Sequence, residues 1–550
     1  MTLASEIVAR RMRLPRPRTL DVVRERDLRV PMDDGVVLLA DRLVARSLIG
    51  RPQPTVLVRS PYGRGGLVGL AFGRLLAERG LQVVVQSVRG TFGSGGTFSP
   101  FDERPDGLAT LRWLRAQPWH AGPIGTIGPS YLGLVQWAIA TEGDLAAMSV
   151  HATASQFHGQ TFAGGGLALE NVGTWMAVVE AQRRWPAPLA VARAVRRVPA
   201  RLDTLPLSEL DRRLTGSTVP WFQAAAPRTD RPDPYWVARD FQAGVASVSA
   251  AVQFIGGWYD ILLPWMLADF AAMRDAGRRP ELLIGPWAHT SPGMLAAGVR
   301  EGLSWLRAHL LGEMRPGARA AVRLAITGAG GPVWRSMDRW PPPSRPLQLF
   351  ARAGGLLCEA PAADDGDGDA DHYRYDPLDP TPSLGGPVLL ARDPVLDNAP
   401  LEARPDVLTY TGPVLPRTLE AIGEPAVRLW LRTTRPHFDV FARICDVDRA
   451  GVSRNVCDAL LRVDPASADR RPDGSVRVTF ALWPIAHAFA AGHRIRLLVC
   501  SGAHPRYARN PGSGCDPMTA TAADMLPVEV ALLRDSSHPS SVTLPVVAGR

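Results

Sequence analysis

Ile124-Gly125-Thr126-Ile127-Gly128-Pro129-Ser130-Tyr131-Leu132-Gly133-Leu134-Val135 decides the reading of this chain. Its first half is a short apolar run with the character of a buried strand, and its second half opens an apolar helix. Between them stands a serine flanked by small residues. At a strand-to-helix corner that arrangement makes a nucleophile elbow, in which a tight turn lifts the hydroxyl out at the carboxyl edge of a sheet. Small neighbours are needed because strand and helix approach closely. The next amide, that of Tyr131, then points to where a tetrahedral oxyanion would form. The usual pattern is G-x-S-x-G, whereas here Leu132 takes the last position and the glycine falls one later, at Gly133. By itself a glycine-flanked serine is more often a structural turn residue, so the rest of the chain has to decide.

Working outward, strands alternate with helices. Leu28–Val30 and Val36–Leu39 read as a hairpin across Pro31-Met32-Asp33-Asp34-Gly35. Thr55–Val58 and Val83–Val85 are continuous apolar strands, and a helical pattern runs between them through Leu67, Leu70, Ala71, Leu75 and Leu76. A helix through Leu108, Leu111, Trp113 and Leu114 precedes the strand that ends at Ser130, and Ala147–Val150 follows as another strand. This alternation implies a mostly parallel sheet covered on both faces, with reactive groups on the loops at the carboxyl strand ends. Tyr62, Arg89 and Ser130 all lie on such loops.

A serine nucleophile needs a histidine to take its proton, and that histidine needs a buried carboxylate to fix its tautomer. In a sheet of this kind they follow the serine in the order acid, then histidine. Asp260 comes just after the strand Val252–Ile255, in Gly257-Trp258-Tyr259-Asp260. His289 comes just after Leu282–Ile284, in Gly285-Pro286-Trp287-Ala288-His289. The 29 positions separating them hold one helix and one strand, which returns both side chains to the same edge. Alone, Asp260 reads as a turn or helix cap and His289 as a satisfied polar residue; order, spacing and strand ends together favour a triad. His120, His151 and His158 are alternative bases in principle, but none follows a strand beyond Asp260. Tyr62 stands after the third strand, where a phenol can supply a second oxyanion donor, or simply pack behind Pro61.

The bulk properties fit a folded protein of several domains. The chain has 550 residues, 46% of them hydrophobic and 21% charged, so one core cannot hold it. Its net charge of +9 rests on arginine alone, for there is no lysine; the arginines are dispersed and no nucleic-acid or membrane-surface motif accompanies them. No run reaches the roughly 18 apolar residues of a membrane span, and Met1–Leu20 lacks the pattern of a secretory signal, which points to the cytoplasm. Cys358, Cys445, Cys457, Cys500 and Cys515 are odd in number with no C-x-x-C spacing, so free thiols are expected and neither a disulfide framework nor a zinc site. Between His151 and about Phe241 the pattern turns to irregular helices rich in tryptophan and arginine, which reads as an inserted cap. After Pro341-Pro342-Pro343 come an acidic stretch, Asp364–Asp371, and period-two runs such as Val427, Leu429 and Leu431 alternating with Arg428, Trp430 and Arg432. Those runs point to an antiparallel sandwich or jelly roll. The expected division is 1–150 with 246–345 as the catalytic α/β domain, 151–245 as a helical cap, and 346–550 as a jelly-roll β-sandwich.

Ser60-Pro61-Tyr62, Arg89-Gly90, Gly128-Pro129-Ser130-Tyr131-Leu132-Gly133, Gly257-Trp258-Tyr259-Asp260 and Gly285-Pro286-Trp287-Ala288-His289 resemble the cocaine-esterase and X-prolyl dipeptidyl peptidase family of serine hydrolases. There the elbow reads G-x-S-Y-x-G, which accounts for Leu132. The resemblance extends to Val30–Gly35, Asp376–Pro380, Pro382–Gly386 and Pro505–Pro511, nearly the whole chain. It implies an α/β-hydrolase core, a helical cap and a C-terminal jelly roll. It also implies Ser130 as nucleophile, His289 as base, Asp260 as its partner, and the Tyr62 hydroxyl with the Tyr131 amide as oxyanion hole. One departure is Ser87, where members often carry an aspartate; this puts local hydrogen bonding in question rather than the chemistry. The expected activity is hydrolysis of a small-molecule ester or amide through an acyl-enzyme, with no metal or organic cofactor. A homodimer is compatible with the sequence. Trp175, Trp185, Trp221, Phe222 and Leu262 are candidate substrate contacts, though each reads equally as core. Alternatives are an X-prolyl dipeptidyl aminopeptidase, which needs a carboxylate for a free α-amine that the sequence does not identify, an acyltransferase, and a non-catalytic binding protein.

Overall fold

The computed structural model describes residues 3–184, 186–313, 320–361, 370–390 and 393–548. Eight strands build the sheet that carries the candidate site. They are β1 (Val22–Pro31), β2 (Val37–Ala45), β3 (Gln53–Ser60), β4 (Gln82–Ser87), β5 (His120–Pro129), β6 (Ala147–His151), β7 (Ala251–Tyr259) and β8 (Glu281–Ala288). Their order across the sheet is β1-β2-β4-β3-β5-β6-β7-β8. β1 and β2 form the expected hairpin, β2 runs antiparallel to β4, and every pair from β4 onward is parallel. Val56–Val58 and Val83–Val85 are at most 2% exposed, because central parallel strands are covered on both faces. The chain steps from β3 outward to β4, then back past β3 to β5. The β3/β5 boundary is therefore the point where strand order reverses, and a crevice opens there at the carboxyl ends.

Four helices matter for the site: α1 (Arg104–Arg115), α2 (Tyr131–Trp137), α3 (Leu263–Asp275) and α4 (Pro292–Leu311). Leu303, Leu306 and Leu310 of α4 pack with Val56, Val58 and Ile127 on one face of the sheet. On the other, Phe254 of β7 lies between Trp137 of α2 and Phe270 of α3, ring centroids 5.8 Å away in each case. The helical run expected through Leu67–Leu76 is present but not uniform. It is α-helical over Gly66–Val68, widens to π-helical bonding over Gly69–Arg74, and returns to α over Leu75–Ala77.

The chain divides into two compact units, Met1–His158 with Val179–Val191 and Asp230–Arg323, and Gly159–Val178 with Ala192–Thr229 and Leu324–Arg550. The helices that follow β6 are thus shared between the units. Beyond them the described residues of the second unit are mainly strands, a jelly-roll sandwich, with a short helix at Ala399–Glu402. Val427, Leu429 and Leu431 are buried and alternate with more exposed Arg428, Trp430 and Arg432, as period two requires. Phe438–Val447 is buried along its whole length between Ser453–Val463 and Arg494–Cys500, both antiparallel to it. The acidic stretch is outside the described residues over 364–369. All five cysteines are unpaired. Among the described residues no helix is long and apolar enough to cross a membrane.

Candidate active site

Ser130 closes the corner between β5 and α2 with φ 56° and ψ −123°, a backbone conformation costly for any residue with a side chain. The corner is held from three sides. The Ser130 N–H donates to the His151 carbonyl (2.8 Å), and the Ser130 carbonyl accepts from Gly133 N–H (2.8 Å) and from Thr153 Oγ1 (2.8 Å). Both flanking glycines are sterically required. A Cβ on Gly128, which has φ +155°, would lie 2.4 Å from Leu132 Cβ, and one on Gly133 would lie 2.3 Å from Thr153 Cγ2. The displaced glycine of the motif is thus the one that lets α2 approach the loop after β6.

Asp260 follows β7 and His289 follows β8, so adjacent parallel strands deliver both to the edge where β5 delivers Ser130. His289 Nδ1 lies 2.7 Å from Asp260 Oδ2, and His289 Nε2 lies 3.0 Å from Ser130 Oγ. Asp260 is 1% exposed and His289 8%. The other Asp260 oxygen accepts from the Leu262 N–H (2.8 Å), which fixes the carboxylate before the histidine reaches it. The alternative bases are elsewhere. His120 stands at the opposite end of β5, bonded to Thr55 Oγ1 (2.9 Å). His151 is buried on Ser149 Oγ (2.7 Å), and burial drops it to about 3, a neutral ring at ordinary pH. His158 packs edge-on against Trp236.

Tyr62 follows β3, the neighbour of β5, and is half-buried. Its N–H donates to Ser60 Oγ (3.0 Å). Tyr131 is 1% exposed and its hydroxyl donates to Glu103 Oε1 (2.6 Å). Burial pushes the Glu103 carboxyl above the usual carboxylate value, against the pull of Arg59 and the Tyr131 hydrogen bond. Burial raises the Tyr131 phenol too, with the Glu103 charge adding to it. Ser87 does find a partner, accepting from Arg64 Nη1 (2.9 Å), while Arg64 Nε reaches Asp41 (3.1 Å). Arg89 binds Asp34 and Asp106 and so clamps the loop after β4. A cavity of about 270 Å³ in the same unit is lined by Thr91, Phe92, Phe98, Val179, Gln182 and Arg183. Gln182 Nε2 donates to the carbonyl of Pro61, next to Tyr62 (2.9 Å), and the Phe98 ring lies 6.1 Å from that of Tyr131.

The candidate substrate contacts are dispersed. Leu262, wholly buried, lies beside Asp260 and contributes its backbone to it. Trp175, Trp221 and Phe222 belong to the second unit, where Trp221 packs 5.1 Å from Trp175 and 6.4 Å from Phe222. Phe222 is 1% exposed. Trp185 lies outside the described residues. Among the described residues no group of three or more histidine, cysteine, aspartate or glutamate side chains could hold a metal ion. Glu103, Thr153 and Asp269, which brace the site, have no motif to announce them.

Residues 34–291 match the family described as X-Pro dipeptidyl-peptidase (S15 family), and residues 313–543 match the X-Pro dipeptidyl-peptidase C-terminal non-catalytic domain. A cocaine esterase from Rhodococcus sp. (strain MB1 Bresler) is 28% identical over 94% of this chain and 97% of its own. Among solved structures, an alpha-amino acid ester hydrolase superposes with a TM-score of 0.79 at 20% identity, over 96% of this chain and 97% of that one. An aminopeptidase from a marine sediment archaeon, Thaumarchaeota archaeon, gives 0.77 at 21% identity over 96% and 97%. A CocE/NonD family hydrolase from Staphylococcus aureus gives 0.69 at 17% identity over 96% and 94%.

Proposed function

The chain belongs to the cocaine-esterase and X-Pro dipeptidyl-peptidase (S15) family of hydrolases, and from that premise we propose that it hydrolyses carboxylic esters through an acyl-enzyme on Ser130. Membership accounts for a serine hydrolase of esters or X-Pro peptides; the residue roles and the ester preference are inferred here. The observation that carries the residue roles is one imidazole within hydrogen-bonding distance of both Asp260 and Ser130, behind a serine held at positive φ.

With Nδ1–H donated to the Asp260 carboxylate, His289 Nε2 presents its lone pair to the Ser130 hydroxyl. As Oγ attacks the ester carbonyl, its proton passes to Nε2. The carbonyl π pair moves onto oxygen, which the Tyr62 hydroxyl and the Tyr131 N–H stabilise. Collapse of that intermediate expels the alkoxide, protonated by His289, and leaves the acyl group on Ser130. Water, deprotonated by the same nitrogen, repeats the cycle and releases the acid.

A dipeptidyl peptidase must also hold a free α-amine, and the family description gives that reading its weight. What favours an ester is the state of the acids. Among the described residues of the first unit, the buried carboxylates are already engaged. Asp41, Glu78, Asp106 and Glu301 pair with arginines, Glu103 with Arg59 and Tyr131, Asp269 with Ser155, and Asp260 with His289. Leu262 and Leu263, just beyond Asp260, are wholly buried and apolar. The deciding experiment compares initial rates on a short-chain p-nitrophenyl ester and an X-Pro-p-nitroanilide, with Ser130→Ala as control. Ester turnover that vanishes in the mutant supports the proposal, whereas equal or better anilide cleavage replaces it with a peptidase. Inertness to both substrates and to a serine-directed fluorophosphonate would leave a binding protein.

A further inference from the structure

The two residues assigned to the oxyanion hole stand on different elements, Tyr62 after β3 and Tyr131 at the start of α2. One carboxylate ties those elements together. Glu103 Oε2 accepts from Arg59 Nη2 (2.9 Å), and Arg59 is the penultimate residue of β3, three positions before Tyr62. Glu103 Oε1 accepts from the Tyr131 hydroxyl (2.6 Å), and the Glu103 carbonyl accepts from Arg59 Nη1 (3.0 Å). Two outer contacts complete the brace. Arg59 Nε donates to Gln86 of β4 (2.8 Å), and the Phe101 N–H donates to the Tyr131 oxygen (3.0 Å) while its ring stacks on Tyr131 at 5.8 Å. Arg59, Glu103 and Tyr131 are 2%, 3% and 1% exposed.

We propose that Glu103 is a positioning residue for the oxyanion hole, joining through Arg59 and the Tyr131 hydroxyl the two elements that carry its donors. The inference rests on the function proposed above. Packing alone does not call for this arrangement. A phenylalanine would fill the Tyr131 site, and a buried ion pair is a poor source of stability because desolvation consumes most of its attraction. An oxyanion hole, by contrast, works only if its donors already stand where charge will develop, and looseness of a fraction of an ångström is enough to forfeit the effect. Tyr131 makes the economy plain: its amide faces the chemistry while its hydroxyl, on the same residue, is anchored to a group that also holds β3.

Tyr131→Phe is the first test, since ring and backbone amide remain while the hydroxyl's bond to Glu103 is lost, together with the one it accepts from the Phe101 N–H. In the full-length protein kcat on a p-nitrophenyl ester should fall by about 10- to 100-fold, less than the loss of a donor itself, with KM little changed. A trifluoromethyl ketone, which becomes a tetrahedral oxyanion on the serine, should lose affinity in proportion to kcat/KM. The carboxylic acid product, a ground-state ligand, should keep its affinity. In a double-mutant cycle with Tyr62→Phe the two losses should not add, because both act on one oxyanion. Wild-type kcat/KM in Tyr131→Phe would overturn the proposal, as would equal weakening of the ketone and the acid. Glu103→Gln guards against a peculiarity of the phenol. It should reproduce the loss of ketone affinity at temperatures where circular dichroism shows a native fold, and unchanged ketone affinity there would also overturn the proposal. An inert wild type would instead sink the functional reading itself, whereas an active wild type matched by Tyr131→Phe sinks this proposal alone.

Discussion

Each side chain of the proposed mechanism fails in its own way when removed. Ser130→Ala abolishes the covalent route, so ester turnover should drop by about 10⁶ in initial-rate assays; near-normal turnover would take Ser130 out of the chemistry. Asp260→Asn keeps a hydrogen-bonding group 2.7 Å from His289 but offers Nδ1 an amide, which tolerates the wrong tautomer. About 10⁴ should be lost from kcat, and a loss under tenfold would leave Asp260 a merely structural cap. Tyr62→Phe deletes one oxyanion donor and should cost about 10²–10³ in kcat, an unchanged rate removing it from that role. At this scale the sequence is legible where the candidate residues sit at strand ends. Ser130, Asp260 and His289 each follow an apolar run, and parallel strands gather such ends at one edge. Glu103 was not legible. It stands in Asp102-Glu103-Arg104, which has the look of a solvated charge run, and its partners lie 44 and 28 positions away. Nothing local marks a carboxylate as buried.

The elements around the serine constrain it through a loop that no motif announced. Residues 151–155 leave β6, receive the Ser130 N–H at the His151 carbonyl, and return Thr153 Oγ1 to the Ser130 carbonyl. The same loop is pinned to α3 by Asp269, which accepts from the Ser155 N–H (2.7 Å) and from Ser155 Oγ (2.6 Å). Two consequences can be measured. In Gly133→Ala the new Cβ meets Thr153 at 2.3 Å with little room to yield, so urea unfolding should show a loss of about 1–3 kcal/mol. Asp269 behaves through its proton. Burial raises its carboxyl to about 7; the Ser155 hydrogen bonds oppose the rise, Asp240 adds to it and Arg231 opposes it. An unfolded aspartate titrates near 3.9, so between those values the folded chain holds a proton that the unfolded chain has released. Stability from this group is therefore full below about pH 4 and is lost as pH rises through about 7. Asp269→Asn, which mimics the neutral form, should flatten that slope. Against wild type it should gain roughly 2–4 kcal/mol between pH 4 and pH 8. Parallel pH profiles for the two proteins would show that Asp269 does not titrate in this window.

Across the whole chain, periodicity revealed which elements exist better than what covers them. The strand–helix alternation is enough to recognise a mostly parallel sheet, though not its strand order, and period two is enough to recognise a sandwich, because both follow from which face meets water. The helices after β6 are a different matter. An apolar stripe does not say which surface it will meet, and the chain from Gly159 to Thr229 is divided between the two compact units. Charge inside the sandwich is equally silent in sequence. Arg443 lies on Phe438–Val447, a strand buried on both faces, and its guanidinium binds Asp458 Oδ2 through Nη2 (2.7 Å) and Nε (3.1 Å). Arg506 reaches the other oxygen through Nη1 (2.6 Å), and all three side chains are at most 2% exposed. Burial alone would raise the Asp458 carboxyl, yet the two guanidiniums prevail and hold it below the usual carboxylate value. Asp458→Asn removes the charge that both arginines share and strands two buried cations. The expected cost is about 3–5 kcal/mol by urea unfolding at neutral pH. Because the folded carboxyl is depressed, wild type should surrender the same stabilisation on acidification below the unfolded value near 3.9, and the mutant should not. Replacing Arg443, Asp458 and Arg506 together by apolar residues of similar volume should recover most of what Asp458→Asn loses, since it is the unpaired cation that is expensive. A single mutant that costs under about 1 kcal/mol would mean that water or backbone carbonyls already satisfy the arginines.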